Sequence, residues 1–232
     1  MLKIKLLIMF KPTIILLSFI LLFSHCARDI KNTEKFHEII SHTPQESINE
    51  LLAGNKRFLH DKLININHLE QIELTKHGHK PHAVILSCMD SRVPPEIIFD
   101  QGIGNIFVIR NAGNLEDHNV LGSLEYTVHH STAKVIMVMG HSHCGAVTGA
   151  LDDIKHGHLS QLVEQIKPSI QNHSTKKMSV IETAKQSVHY TIKDILHRSQ
   201  TIKKLVQQKK IELVGAFYDV ETGEVKILEE YK

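Results

Sequence analysis

The sequence predicts one α/β domain with a central, mostly parallel β-sheet flanked by helices. Short apolar runs at 83–86, 106–109 and 135–139 are continuous rather than alternating, which is typical of strands buried on both faces. Segments with helical periodicity separate these runs, and such alternation of strands and helices indicates an α/β architecture. The length of 232 residues fits one ordinary domain with a short appendage.

Composition excludes several classes of protein. The net charge is +2 with 22% charged residues, so the chain has neither the basic excess typical of nucleic-acid binding nor the acidic excess of a disordered chain. Three cysteines are too few for a disulfide scaffold. The 18 histidines are unusual for this length and favour a search for a metal site. We expect no nucleic-acid partner.

Residues 1–26 differ in character from the rest of the chain. Their only charges are three lysines near the start, and an apolar run follows from Ile14 to Phe23. A basic start, an apolar run of about 10 residues and small residues near its end predict a secretory signal peptide, hence export to the periplasm. An uncleaved membrane anchor is the alternative, because the stretch 6–23 reaches the length of about 18 residues at which a helix can span a bilayer.

A lipid anchor at Cys26 is a further alternative, although His25 stands where lipidation favours a small residue. The chain carries +2, and its first 26 residues hold three lysines and no acid, so the remainder carries −1. The slight basicity therefore belongs to the targeting segment. We interpret 27–42 as a polar linker and 43–232 as the folded domain, which would meet a membrane only through the N-terminal segment.

The first predicted elements of the domain are two helices. Thr43 is a suitable N-cap, Pro44 fits the first helical position and Glu46 lies three residues after the cap. This pattern predicts a helix over 44–58, and a shorter helix is predicted over 69–76.

The predicted sheet and its covering helices occupy the rest of the chain. Two further strands and a turn with the sequence Glu-Thr-Gly-Glu at 221–224 predict a C-terminal β-hairpin. The strands are predicted at 83–86, 106–109, 135–139, 211–218 and 225–228, and the covering helices at 117–130, 146–151, 159–171 and 178–208.

Two polar segments follow the first and the third predicted strand, at 87–92 and 140–145. Sites in open α/β sheets form beyond the carboxyl ends of strands, so the two segments meet if these strands are neighbours. Cys88, His141 and Cys144 would then supply two thiolates and one imidazole, a donor set that suits zinc. Three protein ligands leave a fourth position open, as in catalytic zinc sites.

Other interpretations of these residues stay open at this point. A cysteine at a strand end is commonly a small buried apolar residue, and Cys88 and Cys144 could instead form a disulfide, which export permits. The abundant histidines admit a non-catalytic exported zinc-binding protein. Asp90 and Arg92 lie beside Cys88 where a buried strand gives way to a turn, and they favour a catalytic site, because storage of zinc does not need that pair.

The spacing Cys88-x-Asp90-x-Arg92 followed by His141-x-x-Cys144 resembles the β-class carbonic anhydrases. Flanking motifs agree at 91–96, 99–102, 110–114, 122–126 and 140–146. The resemblance implies that family's fold, with an N-terminal helical arm and a C-terminal hairpin, and makes 43–232 a catalytic domain. It further implies one Zn²⁺ per subunit on the two cysteines and the histidine, and reversible hydration of CO₂ to bicarbonate and a proton by zinc-bound hydroxide.

The resemblance also implies roles for neighbouring residues. In the family, the residue at Asp90 accepts a hydrogen bond from the zinc-bound water or ligates zinc in a closed form, and the residue at Arg92 holds it off the metal. Family members that close their zinc site when bicarbonate binds use a Trp where this chain has Ile85. This chain has no Trp, so we expect the open form, in which water is the fourth ligand of the zinc. His79 stands at the usual place of a substrate-contacting Gln near the subunit interface. His79 and Gly145 are our candidates for substrate binding.

Assembly and exact activity are further expectations from the resemblance. It implies a homodimer or homotetramer in which the helix over 44–58 is an arm that packs on a second subunit. Hydrolysis of carbonyl sulfide or carbon disulfide at the same zinc site is an alternative activity that the motif does not separate from CO₂ hydration. We interpret most other histidines, including His82 and His143, as solvated or neighbouring polar residues.

Overall fold

Five strands form one sheet in the spatial order β2-β1-β3-β4-β5. Strands β1 to β4 are parallel to their neighbours, and β5 runs antiparallel to β4. This confirms the prediction of a mostly parallel sheet with a C-terminal hairpin. The strands are β1 (Ala83–Cys88), β2 (Ile106–Asn111), β3 (Val135–His141), β4 (Glu212–Tyr218) and β5 (Val225–Tyr231).

The computed structural model describes residues 41–171 and 178–231. The predicted signal segment, its alternatives and nearly all of the predicted linker lie outside these residues. Within them, no helix is long and apolar enough to cross a membrane.

Nine helices and one short 3₁₀ turn at 112–114 connect the strands in the described ranges. They are α1 (Pro44–Leu59), α2 (His68–Thr75), α3 (Pro95–Ile98), α4 (His118–His130), α5 (Gly145–Leu151), α6 (Gly157–Ile166), α7 (Pro168–Gln171), α8 (Val180–Arg198) and α9 (Gln200–Gln207). Two predicted helices are each divided in the structure. Pro168 separates α6 from α7 because it lacks a backbone N–H, and Ser199 separates α8 from α9 in an extended conformation.

Both faces of the sheet are buried, which explains the continuous apolar runs. On one face, Ile85 and Met137 pack with residues of α1 and α3. On the other face, Val84 and Ile136 pack with residues of α4, α8 and α9. Successive residues of one strand therefore pack into the apolar cores on opposite faces of the sheet.

Helix α1 begins with the predicted capping box, since the Thr43 side chain accepts from the Glu46 N–H and the Glu46 carboxylate accepts from the Thr43 N–H. The expectation that this helix packs on a second subunit stays a prediction. Its apolar residues Ile48 and Leu51 are buried in the core of its own chain, because the sheet of the same chain offers them an apolar face. Only its outer face is left for a partner.

Candidate metal centre

The three predicted metal ligands meet at one edge of the sheet. Strands β1 and β3 are parallel neighbours with Ser87 opposite Met139, so both end at the same edge. Cys88 is the last residue of β1, His141 is the last residue of β3, and Cys144 is the N-cap of α5. The first and third strands are therefore neighbours, which is the condition under which the sequence predicted that the ligands meet.

The ligand atoms of Cys88, His141 and Cys144 lie within 4.8 Å of one another, and all three residues are buried. The two sulfur atoms are 4.0 Å apart. A disulfide needs about 2.05 Å, so the cysteines are free thiols here. Two Zn–S bonds at a tetrahedral angle would place the sulfurs about 3.8 Å apart, which this geometry nearly matches. Across 41–171 and 178–231, no other such group of metal-binding side chains occurs.

His141 presents one unused nitrogen to this cluster. Its Nδ1 donates to the carbonyl oxygen of Ser142 at 2.8 Å, which fixes the tautomer and leaves the lone pair on Nε2. Nε2 is buried and has no hydrogen-bond partner among the described residues. Leaving such an atom unpaired costs roughly 1–3 kcal/mol. A bound metal would remove that cost, so the donor set fits zinc.

The sulfur atoms of Cys88 and Cys144 are within hydrogen-bond distance of each other. The Cys144 thiol donates to Cys88, which is the largest cause that holds the pKa of Cys88 well below its usual range. The N–H of Gly113, 3.4 Å from the Cys88 sulfur, acts in the same direction. The hydrogen bond to Cys88 and then burial raise the pKa of Cys144. A divalent cation would take the place of the Cys144 proton and stabilise both thiolates.

Asp90 is held by Arg92 beside this cluster. The Arg92 Nε and backbone N–H donate to Asp90 Oδ1, each at 2.9 Å, and Nη2 donates to Oδ2 at 2.7 Å. These side-chain bonds hold the pKa of Asp90 well below its usual range. Arg92 Nη2 also donates to the carbonyl of His143 at 3.2 Å. The carboxylate is therefore ionised and turned toward the guanidinium, outside the three-residue metal group.

Comparison with known proteins decides the family. A family model described as carbonic anhydrase matches residues 83–225. The chain is 34% identical to a carbonic anhydrase of Mycolicibacterium smegmatis over 184 residues, which are 76% of this chain and 89% of that one. It is 40% identical to carbonic anhydrase 2 of Mycobacterium tuberculosis over 152 residues, 63% of this chain and 73% of that one. A tetrameric β-carbonic anhydrase of Sordaria macrospora superposes with a TM-score of 0.63 at 30% identity, over 78% of this chain and 96% of that one. The chain belongs to the β-class carbonic anhydrases.

The two substrate-binding candidates of this carbonic anhydrase lie in different places. Gly145 is exposed beside Cys144, and a Cβ added there would meet nothing within 4 Å. Packing in this chain therefore does not require a glycine at that position. His79 precedes β1, so it lies at the opposite end of that strand from Cys88, and its ring meets Phe107 edge-on at 5.4 Å. Within one chain His79 is not brought to the metal cluster, and its substrate role remains a prediction that needs a second subunit.

Two residues near the cluster, Arg110 and Glu221, were not predicted from the sequence as contributors to the site. Arg110 donates from Nε to the Cys88 carbonyl at 3.0 Å and from Nη2 to the Asp90 carbonyl at 2.5 Å, and so fastens the backbone between them. Arg110 belongs to the motif at 110–114 that resembles the family, and this was the signal from which its role could have been predicted. Glu221 contacts His143 Nε2 at 2.8 Å from the turn between β4 and β5, and no local pattern indicated that contact.

Proposed function

We propose that this carbonic anhydrase hydrates CO₂ reversibly with a Zn²⁺ ion held by Cys88, His141 and Cys144. The observation that carries the proposal is the buried group of three donor atoms within 4.8 Å, one of them the unpartnered Nε2 of His141. When bound, zinc supplies a Lewis acid that brings the pKa of a water molecule toward neutrality. Two thiolates balance the charge of the ion, and three protein ligands leave one position for that water.

Asp90 would orient this water as a hydrogen-bond acceptor. An ionised carboxylate offers about four acceptor positions, and three of them are occupied by Arg92. One position on Oδ2 remains for a proton of the water. Because the pKa of Asp90 is held well below its usual range, the group stays an acceptor at neutral pH. Arg92 in turn keeps the carboxylate from the metal, which supports the open form.

We also propose that the enzyme assembles from identical subunits. Strand β2 lies at an edge of the sheet, and an unpaired edge is a template for pairing with another chain. Beside it, a groove of about 660 Å³ between β2 and α4 is lined by apolar groups that include Phe107, Ile109 and Tyr126. The related enzyme from Sordaria macrospora is described as tetrameric. Light scattering on the purified protein tests this proposal, and a monomer at micromolar concentration would contradict it.

Export remains part of the proposal, supported by the basic and apolar character of residues 1–26. Fractionation of cells that express the full chain, with mass spectrometry of its N-terminus, distinguishes cleavage, retention and lipidation at Cys26. A full-length protein in the cytosol would contradict export.

The activity is tested by metal analysis together with stopped-flow CO₂ hydration. We expect one zinc per chain and rapid hydration, and we expect Cys144→Ser to lose both, because a neutral hydroxyl is a poor substitute for a thiolate ligand. A zinc-loaded protein that does not hydrate CO₂ would contradict the proposal. Assays with carbonyl sulfide and carbon disulfide on that same sample would then test the alternative activity.

A further inference from the structure

The turn between β4 and β5, residues 219–224, contacts the segment that carries the histidine ligand. The N–H of Val220 donates to Ser142 Oγ at 2.9 Å, and Ser142 Oγ donates to Asp219 Oδ1 at 3.3 Å. The N–H of Ser142 donates to the carbonyl of Tyr218 at 3.0 Å. Both polar groups of Ser142 other than its carbonyl are therefore bound by a part of the chain more than 70 residues away.

The remaining polar group of Ser142 orients the ligand. Its carbonyl oxygen accepts from His141 Nδ1 at 2.8 Å, and this bond directs Nε2 toward the two sulfur atoms. Ser142 is 2% exposed, so water does not replace a partner that is lost. Any rotation of the Ser142 peptide unit would carry its carbonyl away from the imidazole. The bonds on Ser142 thus restrict the orientation of His141.

Asp219 is itself held in place. Its Oδ1 also accepts from the N–H of Glu221 at 2.9 Å, and its backbone N–H donates to the carbonyl of Glu224 at 2.9 Å. The turn is tied to helix α1 through Asn55, whose Nδ2 donates to the carbonyl of Gly223 at 2.9 Å and whose Oδ1 accepts from the N–H of Val225 at 3.0 Å. The helix, the turn and the ligand segment therefore form one hydrogen-bonded chain.

We propose that Ser142 and Asp219 are positioning residues that hold the imidazole of His141 and thereby set how long the metal is retained. This inference rests on the proposed zinc function. Outer contacts that orient a ligand typically contribute about 10–100-fold to metal affinity. We place this contribution in the rate of zinc release, because loss of the contact frees the imidazole to rotate off the ion.

The experiment measures zinc release from the full-length, zinc-loaded protein to an excess of a chromophoric chelator. We expect Ser142→Ala and Asp219→Ala each to release zinc roughly 10–100-fold faster than the unaltered protein. Asp219→Asn keeps an acceptor oxygen and is expected to stay within about 3-fold of it. Thr222→Ala is the matched control, because the one hydrogen bond of its hydroxyl within the described residues is accepted from Glu224 N–H in the same turn, at 3.3 Å.

A second readout reports the geometry of the site. Cobalt in place of zinc gives absorption bands that depend on ligand arrangement, and we expect these bands to change in Ser142→Ala and Asp219→Ala but not in Thr222→Ala. The double variant is expected to release zinc little faster than either single variant, because both act through one contact. Should Asp219→Ala not fold, Ser142→Ala and Asp219→Asn still give the comparison.

Unchanged release in Ser142→Ala and Asp219→Ala would overturn the inference while leaving the proposed function intact, and so would equally fast release in Thr222→Ala. A natural protein that holds no zinc would overturn the proposed function and the inference together. The two failures are therefore distinguishable by the metal content of the unaltered protein.

Discussion

Two buried histidines lie at opposite ends of the sheet, and each has one nitrogen without a partner among the described residues. His141 ends β3 and lies within 4.8 Å of two thiols. His82 directly precedes β1, and its Nε2 contacts Gln101 Oε1 at 3.0 Å while Nδ1 is unpartnered. A buried unpaired imidazole therefore does not by itself define a metal site. The neighbouring groups decide, and strand order supplies those neighbours.

The same substitution at both histidines separates the two environments. We expect His141→Gln to lose zinc and at least about 100-fold in CO₂ hydration, since a ligand matters at least as much as the groups that orient it. We expect His82→Gln to keep one zinc per chain and to lose about 1–3 kcal/mol of unfolding free energy, because it disturbs a buried hydrogen bond. Metal analysis, activity and denaturant unfolding check both variants. Zinc loss in His82→Gln would contradict the assignment of the metal to the end of the sheet that carries His141.

The next largest effect on activity is expected at Asp90, the ionised carboxylate beside the metal ligands. Asp90→Asn keeps the shape of the side chain but removes the charge and one acceptor oxygen. We expect it to retain zinc and to lose about 10²–10⁴-fold in kcat/KM, the usual scale for a group that handles a proton in the reaction. Stopped-flow kinetics with metal analysis on the same sample measure this. Full activity in this variant would exclude the proposed role.

A smaller effect follows from the titration of His82. Burial lowers the pKa of His82, with Gln101 and Glu50 acting in the opposite direction. The unfolded chain therefore binds this proton more readily than the folded one, so stability falls as pH drops below about 6.5 and continues to fall until the folded pKa is passed. The slope is at most about 1.4 kcal/mol per pH unit.

Denaturant unfolding of the unaltered protein and His82→Gln at pH 7.5 and 5.5 checks this. We expect the difference in unfolding free energy between the two pH values to be smaller in the variant. An equal difference in both proteins would assign the acid sensitivity to other groups.

Two glycines near the metal ligands differ in how closely they are packed, and the substitution at one of them, Gly145→Ala, is expected to have the smallest effect on stability. A Cβ at Gly140 would lie 2.8 Å from Val188 Cγ2 and 3.2 Å from the Ala184 carbonyl oxygen. Gly140→Ala is therefore expected to cost about 1–3 kcal/mol of unfolding free energy. Gly145→Ala meets no such contact, and we expect its stability to change by less than about 0.5 kcal/mol. If Gly145 leaves room for substrate, this variant keeps zinc but shows a higher KM. An unchanged KM would remove Gly145 from the substrate-binding candidates.

Much of the candidate site could be predicted from the sequence, because residues that can bind a metal stand at or just after the ends of predicted strands. Cys88 and His141 end apolar strands, and parallel strands bring their carboxyl ends to one edge. His82 shows the limit of such reasoning. It follows a polar stretch at 76–80 that suggests a solvated residue, yet it is 1% exposed. Backbone bonds with Asn105 and Lys134 draw it into the sheet, and both partners lie far along the chain.

The α/β class, the strands and the residues that can hold a metal could be predicted from the sequence, because apolar periodicity and ligand chemistry are local properties. Which of these elements contact one another became known only from the folded chain. Folding packed α1 against the sheet of its own chain, left β2 at an edge of the sheet, and brought Asp219 to Ser142 at the ends of the neighbouring strands β4 and β3. These contacts depend on strand order and on the paths of connections, which local patterns do not specify. For the same reason the metal ligands could be predicted from the sequence, while the contacts that hold them in place required the folded chain.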